Sequence, residues 1–198
     1  FAMPTDEKFP FLLDCTTSIV QRGKVEIYAK LNKEMPRGWV VAHDGTSKTD
    51  PHAVLADLIA GTAALLPLGG AGEDLAGYKG YGYATVVEIL SAALQQGAYL
   101  KMLNGVDKKG RKTPYPLGHF FIAIDVAHFA PLPAFQKIAG TILRQLRASQ
   151  KAPGQKRIYT AGEKEYLTWL ERRKKGVPVN RETQKEMIAM RDELGLKK

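Results

Sequence analysis

Short apolar runs alternate along this chain with stretches of helical period. Phe9–Asp14 is a compact apolar run suited to an interior strand. Thr16-Thr17-Ser18 follows it and predicts the cap of a helix whose apolar positions are Ile19, Val20, Val25, Ile27 and Leu31, with Gly23 a weak point. Pro36 and Gly38, within Glu34–Trp39, end that helix, and Ala42–Pro51 is a polar turn region containing Asp44-Gly45 and Asp50-Pro51. Ala53–Leu66 is apolar without a decisive period, and Pro67–Gly82 is a loop dense in glycine. Behind that loop Tyr83–Gln95 predicts a buried helix with Val86, Val87, Leu90 and Leu94 on its apolar side. Leu100–Pro116 is a basic excursion with no period, whereas His119–Asp125 is the clearest strand pattern of all. A helix over Pro133–Ser149 comes next, with Phe135, Ile138, Ile142, Leu143 and Leu146 at core-facing spacing. Arg157–Thr160 predicts a short strand, and helices near Glu163–Lys175 and Arg181–Leu194 close the chain, the second capped by Asn180.

Strands separated by helices imply a layered α/β or α+β fold with a mixed sheet. No repeat, heptad array or linker divides the chain, so residues 1–198 read as one domain. The first residue is Phe1, and Phe9–Leu13 already approaches a buried strand; the pattern reads as a piece that starts inside a fold.

Composition narrows the class. Of the 198 residues 44% are hydrophobic and 25% charged, the balance of a globular protein. No apolar run approaches the roughly 18 to 20 residues that cross a bilayer, and no signal-peptide pattern opens the chain. The single Cys15 excludes an internal disulfide and fits a reducing cytoplasm. The net charge of +9 is uneven: residues 141–198 carry 15 Lys and Arg against 7 Asp and Glu. Such a tail could face nucleic acid, supply a positive field for small anions, or form the solvated side of amphipathic helices. Its charges are interleaved with apolar residues at helical period, which favours the solvated face.

Three stretches carry candidate chemistry. Gly77-Tyr-Lys-Gly-Tyr-Gly82 leads into a helix, where glycines let backbone approach a phosphate and Lys79 adds a positive charge. Its spacing matches neither the dinucleotide fingerprint nor the P-loop, and glycines serving helix packing alone explain it equally. Asp14-Cys-Thr-Thr-Ser18 lies at the C-terminal end of a predicted strand, where ligands of layered sheets gather. A carboxylate there can orient a histidine or bind a ribose hydroxyl; spacing alone favours a helix cap. Ala161-Gly-Glu-Lys-Glu165 joins a strand to a helix and can cap it or present N–H groups to a cofactor. His43, His52, His119 and His128 lack metal-ligand spacing, so no metal site is expected.

Taken together these segments resemble the malate/L-lactate dehydrogenase family, whose members include ureidoglycolate and sulfolactate dehydrogenases. The matching residues run in family order: Leu13–Ser18 with Arg22-Gly-Lys24, Met35–Trp39, Asp44-Gly45 and Thr49-Asp-Pro51. Leu66–Gly70, Tyr78–Gly82, Val87–Leu90, Gly118–Asp125 and Gly162–Glu165 complete the series, which covers nearly the whole chain. The resemblance implies an α/β, non-Rossmann NAD(P)-binding fold of the sulfolactate dehydrogenase-like type, a homodimer, and hydride transfer between NAD or NADP and a 2-hydroxy acid/2-oxo acid pair. It implies cofactor contacts at Asp14, Cys15 and Thr16, at Tyr78 and Lys79, and at Gly162, Glu163 and Lys164, with Asp14 also the partner that orients a catalytic histidine. That histidine and a substrate-binding arginine belong to a first half which this sequence does not contain, so the chain alone is expected to lack turnover. The loop Ala71–Ala76 is longer than in many members, and Ala161 stands where members often have proline. Two other readings stand beside the dehydrogenase, namely a basic nucleic-acid-binding module and a relative that keeps the fold without chemistry.

Overall fold

The computed structural model describes residues 1–107 and 109–196, so Lys108 in the basic excursion and Lys197 and Lys198 in the basic tail lie outside the described residues. Among the described residues six α-helices and four short strands form a mixed α/β fold. They group into two compact units, one of Phe1–Cys15 with the described residues from Ala123 onward, the other of Thr16–Ile122.

The second unit holds the clearest core. Helices α1 (Arg22–Lys30) and α2 (Pro51–Ala60) pack beside an antiparallel pair, β3 (Val40–Ala42) and β4 (Ala63–Leu65), in which Val40 faces Leu65 and Ala42 faces Ala63. Val20, Val25, Met35, Val40 and Val54 are buried together, with Ile19, Tyr28, Trp39 and Leu58 against them. The start of α2 is set locally: the Asp50 side chain accepts from the His52 N–H at 2.9 Å, and Pro51 occupies the first helical position, where its missing N–H costs nothing. α1 begins after Gln21, later than the predicted cap at Thr16–Ser18. Those hydroxyls brace a turn instead: Thr16 Oγ1 accepts from the Ser18 N–H at 3.1 Å, and the Ser18 hydroxyl donates to the Val20 carbonyl at 2.7 Å.

Helix α3 spans Gly77–Ala92, so Gly77, Gly80 and Gly82, read as the end of a loop before a helix at Tyr83, lie inside the helix, while Gly69, Gly70 and Gly72 stay in the loop. The reason is packing. A Cβ on Gly80 would stand 2.6 Å from the Leu68 backbone nitrogen, and one on Gly77 would collide with the Gly70 carbonyl. Two glycines one turn apart therefore let the 68–70 backbone lie directly on the helix.

In the first unit β1 (Ala2–Met3) and β2 (Phe11–Leu12) pair antiparallel, Ala2 opposite Leu12. Helices α4 (Leu132–Ala148), α5 (Glu163–Lys175) and α6 (Arg181–Glu193) follow, the last capped by Asn180 accepting from the Thr183 N–H at 2.9 Å. The mixed sheet expected from the sequence is replaced by two antiparallel pairs among the described residues. His119–Asp125 and Arg157–Thr160, both predicted strands, carry no strand pairing. Their residues favour strands, but a strand exists only with a hydrogen-bonded neighbour, and none lies alongside among the described residues. No helix of the described residues is long and apolar enough to cross a membrane.

Candidate functional site

The carboxyl end of β2 and the turn ahead of α5 meet within the first unit. The Leu12 N–H donates to the Ala161 carbonyl at 3.3 Å, which ties the strand to the turn. Gly162, the residue before α5, has φ +89°, and a Cβ there would lie 2.8 Å from the Pro10 carbonyl oxygen. Glycine thus permits both the left-handed turn and the close approach. The result is a cleft of about 360 Å³ lined by Leu12, Leu13 and Asp14 on one side and Tyr159–Gly162, Lys164 and Glu165 on the other. Two stretches singled out from the sequence, Asp14 and Gly162–Lys164, share this cleft.

Glu163 differs from its neighbours. Its side chain is only 3% exposed and is engaged by Arg157 and, at 3.9 Å, by Arg147. It also accepts from the Thr160 N–H at 3.2 Å. Arg147 in turn pairs with Glu7 and donates to the Thr160 hydroxyl at 2.8 Å. The Glu163 carboxylate therefore faces the interior and braces the turn, and its contribution to the cleft is the shape of the backbone. Lys164 is exposed, its ammonium 5.0 Å from the centre of the Tyr159 ring, with the Arg157 guanidinium also 5.0 Å from that ring. The N–H groups of Lys164 and Glu165 lie in the first turn of α5, where no intrahelical acceptor exists and where no side chain caps the helix. Asp14, Glu165 and Lys164 give the lining two carboxylates and one ammonium, so the cleft suits a hydroxyl-rich or amide-bearing group with one anionic contact. Its volume lies at the lower end of the range for small-molecule sites, room for one end of a dinucleotide.

Glu165 closes the stretch Ala161–Glu165 singled out from the sequence, whereas Tyr159 lies outside it and had no signal beyond its place three residues before Gly162. Cys15 is exposed and makes no disulfide, and Thr16 spends its hydroxyl on Ser18, 2.7 Å away. Tyr78 and Lys79 belong to the second unit, exposed in the first turn of α3; the Lys79 ammonium sits 5.8 Å from the Tyr78 ring centre. Arg22 is paired with Glu26 at 3.2 Å on the surface of α1. His52 contacts Asn32 at 3.3 Å and His128 pairs with Asp125 at 2.9 Å. Among the described residues no group of three His, Cys, Asp or Glu could hold a metal ion. Within the described part of the basic tail Lys175 pairs with Glu171, Lys185 with Glu182, and Arg173 covers Trp169.

The model of one protein family, described as malate/L-lactate dehydrogenase, matches residues 1–188. The chain belongs to the malate/L-lactate dehydrogenase family. Among its relatives, malate dehydrogenase of Pyrococcus horikoshii is 38% identical over 195 residues, covering 98% of this chain and 51% of the relative. A Δ1-pyrroline-2-carboxylate/Δ1-piperideine-2-carboxylate reductase of Pseudomonas putida is 31% identical over 98% of this chain and 50% of its own length. The crystal structure of malate dehydrogenase from Entamoeba histolytica superposes with a TM-score of 0.92 at 38% identity, covering all of this chain and 54% of that one. The chain thus spans about half the length of the family members it matches.

Proposed function

We propose that this chain carries the cofactor-binding part of an NAD(P)-dependent 2-hydroxyacid dehydrogenase. The observation that carries the reading is the shared cleft, in which Asp14 faces the first turn of α5. Asp14 and Glu165 would hold hydroxyl or amide groups of a dinucleotide there, and Lys164 with the N–H groups of the helix start would hold an anionic oxygen. By the family resemblance Tyr78 and Lys79 of the other unit are cofactor contacts in their own right, Lys79 by its charge. When bound, the nicotinamide supplies the hydride chemistry. Asp14 then holds an imidazole from the remainder of the enzyme in the tautomer that accepts the hydroxyl proton, and stabilises its charged form. Malate- or lactate-like acids are the substrates, and the working assembly is a homodimer in the cytoplasm. These residues alone lack turnover.

A second reading is favoured by the Pseudomonas putida relative, whose substrates are cyclic imine carboxylates. On that reading the proton handled near Asp14 belongs to a ring nitrogen instead of a hydroxyl. The test is a titration of the chain with NADH and with NADPH, followed by nicotinamide fluorescence, with Lys164→Ala and Lys79→Ala alongside. Saturable binding weakened by both substitutions is expected; no binding of either nucleotide overturns the proposal. Turnover of a 2-oxo acid panel against a cyclic imine panel, in a preparation competent for catalysis, separates the two readings.

A further inference from the structure

The Gly162 turn forms one wall of the cleft, and the group that holds it stands behind that wall. Arg147 lies on α4, outside the lining of the cleft, with its side chain 18% exposed. Its guanidinium meets both ends of the turn. Nη1 donates to the Thr160 hydroxyl at 2.8 Å and lies 3.9 Å from the Glu163 carboxylate, so one planar group spans Ala161 and Gly162. Within that span the Glu163 N–H donates to the Thr160 carbonyl at 3.1 Å, and the Glu163 carboxylate accepts from the Thr160 N–H. The turn is closed on itself and clamped from outside.

The clamp is itself aimed. Nη2 of Arg147 donates to Glu7, whose side chain is 11% exposed, and the guanidinium sits 5.9 Å from the centre of the Phe9 ring. Glu7 is fixed by its own loop. Thr5 Oγ1 accepts from the Glu7 N–H at 3.2 Å and donates to the Phe9 carbonyl at 2.8 Å, while the Asp6 N–H reaches the Gln136 carbonyl of α4 at 3.2 Å. A guanidinium has its donors in a rigid plane, so an acceptor that fixes one edge also fixes where the other edge points. Arg144, on the preceding turn of α4, makes the contrast: its bonds go to Asp6, Glu7 and Thr141. Arg144 ties the loop to the helix. Arg147 carries the position of that loop onward to the cleft.

We propose that Arg147 is a positioning residue for the cofactor cleft. Locked by Glu7, it sets the shape of the Thr160–Glu163 turn, and with it the place of the Gly162 backbone and of the first N–H groups of α5. Affinity for the ligand then depends on Glu7 and Arg147, neither of which lines the cleft. The identity of that ligand rests on the dinucleotide reading; the coupling from Glu7 through Arg147 to the turn does not.

The test compares the 198-residue chain with Arg147→Lys, Glu7→Gln and Asp6→Asn by urea unfolding, residue-resolved amide exchange, and titration with NADH and NADPH. Lysine keeps a charge opposite Glu7 but cannot span Thr160 and Glu163. The Arg147→Lys midpoint should therefore stay close to that of the unmodified chain. Exchange at the Glu163 and Tyr166 amides should quicken about 10-fold relative to amides around Leu143 in α4, and nucleotide affinity should fall about 5- to 10-fold. Glu7→Gln should loosen the same two amides and weaken binding, although it touches neither. Asp6→Asn, which breaks only the Arg144 pair, should leave the exchange ratio and the affinity as they were. Unaltered turn exchange in Arg147→Lys overturns the proposal. Equal loss of protection at the turn and around Leu143 does so too, since that is plain destabilisation, as does a loosened turn that binds nucleotide with full affinity. Absence of binding by the unmodified chain overturns the dinucleotide reading instead, and the exchange comparison alone then upholds or overturns the clamp.

Discussion

Gly162 and Leu12 are in direct apposition: a Cβ on Gly162 would lie 3.1 Å from both the Leu12 backbone nitrogen and its Cβ. The contact seals one wall of the cleft, because Leu12 precedes Leu13 and Asp14 on the opposite side. Gly162→Ala must then both hold a left-handed φ and push the turn away from β2. It is expected to cost about 1–3 kcal/mol in chemical denaturation and to weaken nucleotide binding. Unchanged stability and affinity together would show that the turn is free to move.

Glu163 makes a different prediction from its neighbour Lys164. Its buried carboxylate balances Arg157 and Arg147 and accepts from Thr160. Glu163→Gln removes the buried charge that Arg157 pairs with, while Arg147 keeps Glu7 and the half-exposed Arg157 can turn to water. A loss of about 1–3 kcal/mol is expected by urea titration. Lys164→Ala, on the open surface of the cleft, should leave the midpoint within about 0.5 kcal/mol while reducing affinity for the nucleotide.

Asp6 gives the first unit its acid sensitivity. The Arg144 guanidinium grips both carboxylate oxygens, at 2.8 and 3.1 Å, and this hydrogen bonding holds the Asp6 carboxyl below its ordinary value of 3.8. A folded-state value below the unfolded one means that the stabilisation is present above pH 3.8 and is lost as pH falls through the lower, folded value. Thermal unfolding of the first unit should therefore destabilise on acidification below about pH 4. Asp6→Asn should flatten that acid limb. The position also depends on Gly140, where any Cβ would collide with the Asp6 carboxylate, so Gly140→Ala should give the same loss at neutral pH.

The parts of this fold that were legible in the sequence are those fixed by neighbours along the chain. Asn180 capping α6 and the charged stretch Glu163–Lys175 were read at their observed bounds, because caps and helical period act within a few residues. Asp50-Pro51 carried the start of α2 in plain view, yet it was read as a turn, since the same pair initiates both. His119–Asp125 went the other way: its composition is that of a strand, but pairing depends on partners the described residues do not provide. At the site, Asp14 and Gly162 lie far apart along the chain, and the Leu12–Ala161 hydrogen bond and the close approach of Gly162 to Leu12 join their segments. Spacing could nominate each stretch but could not pair them; the family resemblance supplied that link. The inward turn of Glu163 was invisible to both, because it depends on arginines from α4 and the segment before the turn.

The glycines of α3 and the lysine between them separate packing from binding within a single turn. Gly77 and Gly80 are buried against the 68–70 backbone, whereas Lys79 projects into solvent with its ammonium beside Tyr78. If the glycines serve the helix contact, Gly80→Ala must displace Leu68 from its place on α3. That backbone is tied in turn to Thr17 by a 3.0 Å hydrogen bond from the Leu68 N–H to the Thr17 carbonyl. A loss of about 2 kcal/mol or more is expected in thermal or chemical unfolding of the second unit, despite the better helix propensity of alanine. Lys79→Ala touches no packed contact and should leave the unfolding curve in place. Its effect should appear only in the nucleotide titration, and it should shrink as salt screens the charge. A stable Gly80→Ala variant would return these glycines to the role of a phosphate loop. A Lys79→Ala variant with unaltered affinity at low salt would show that Lys79 makes no cofactor contact.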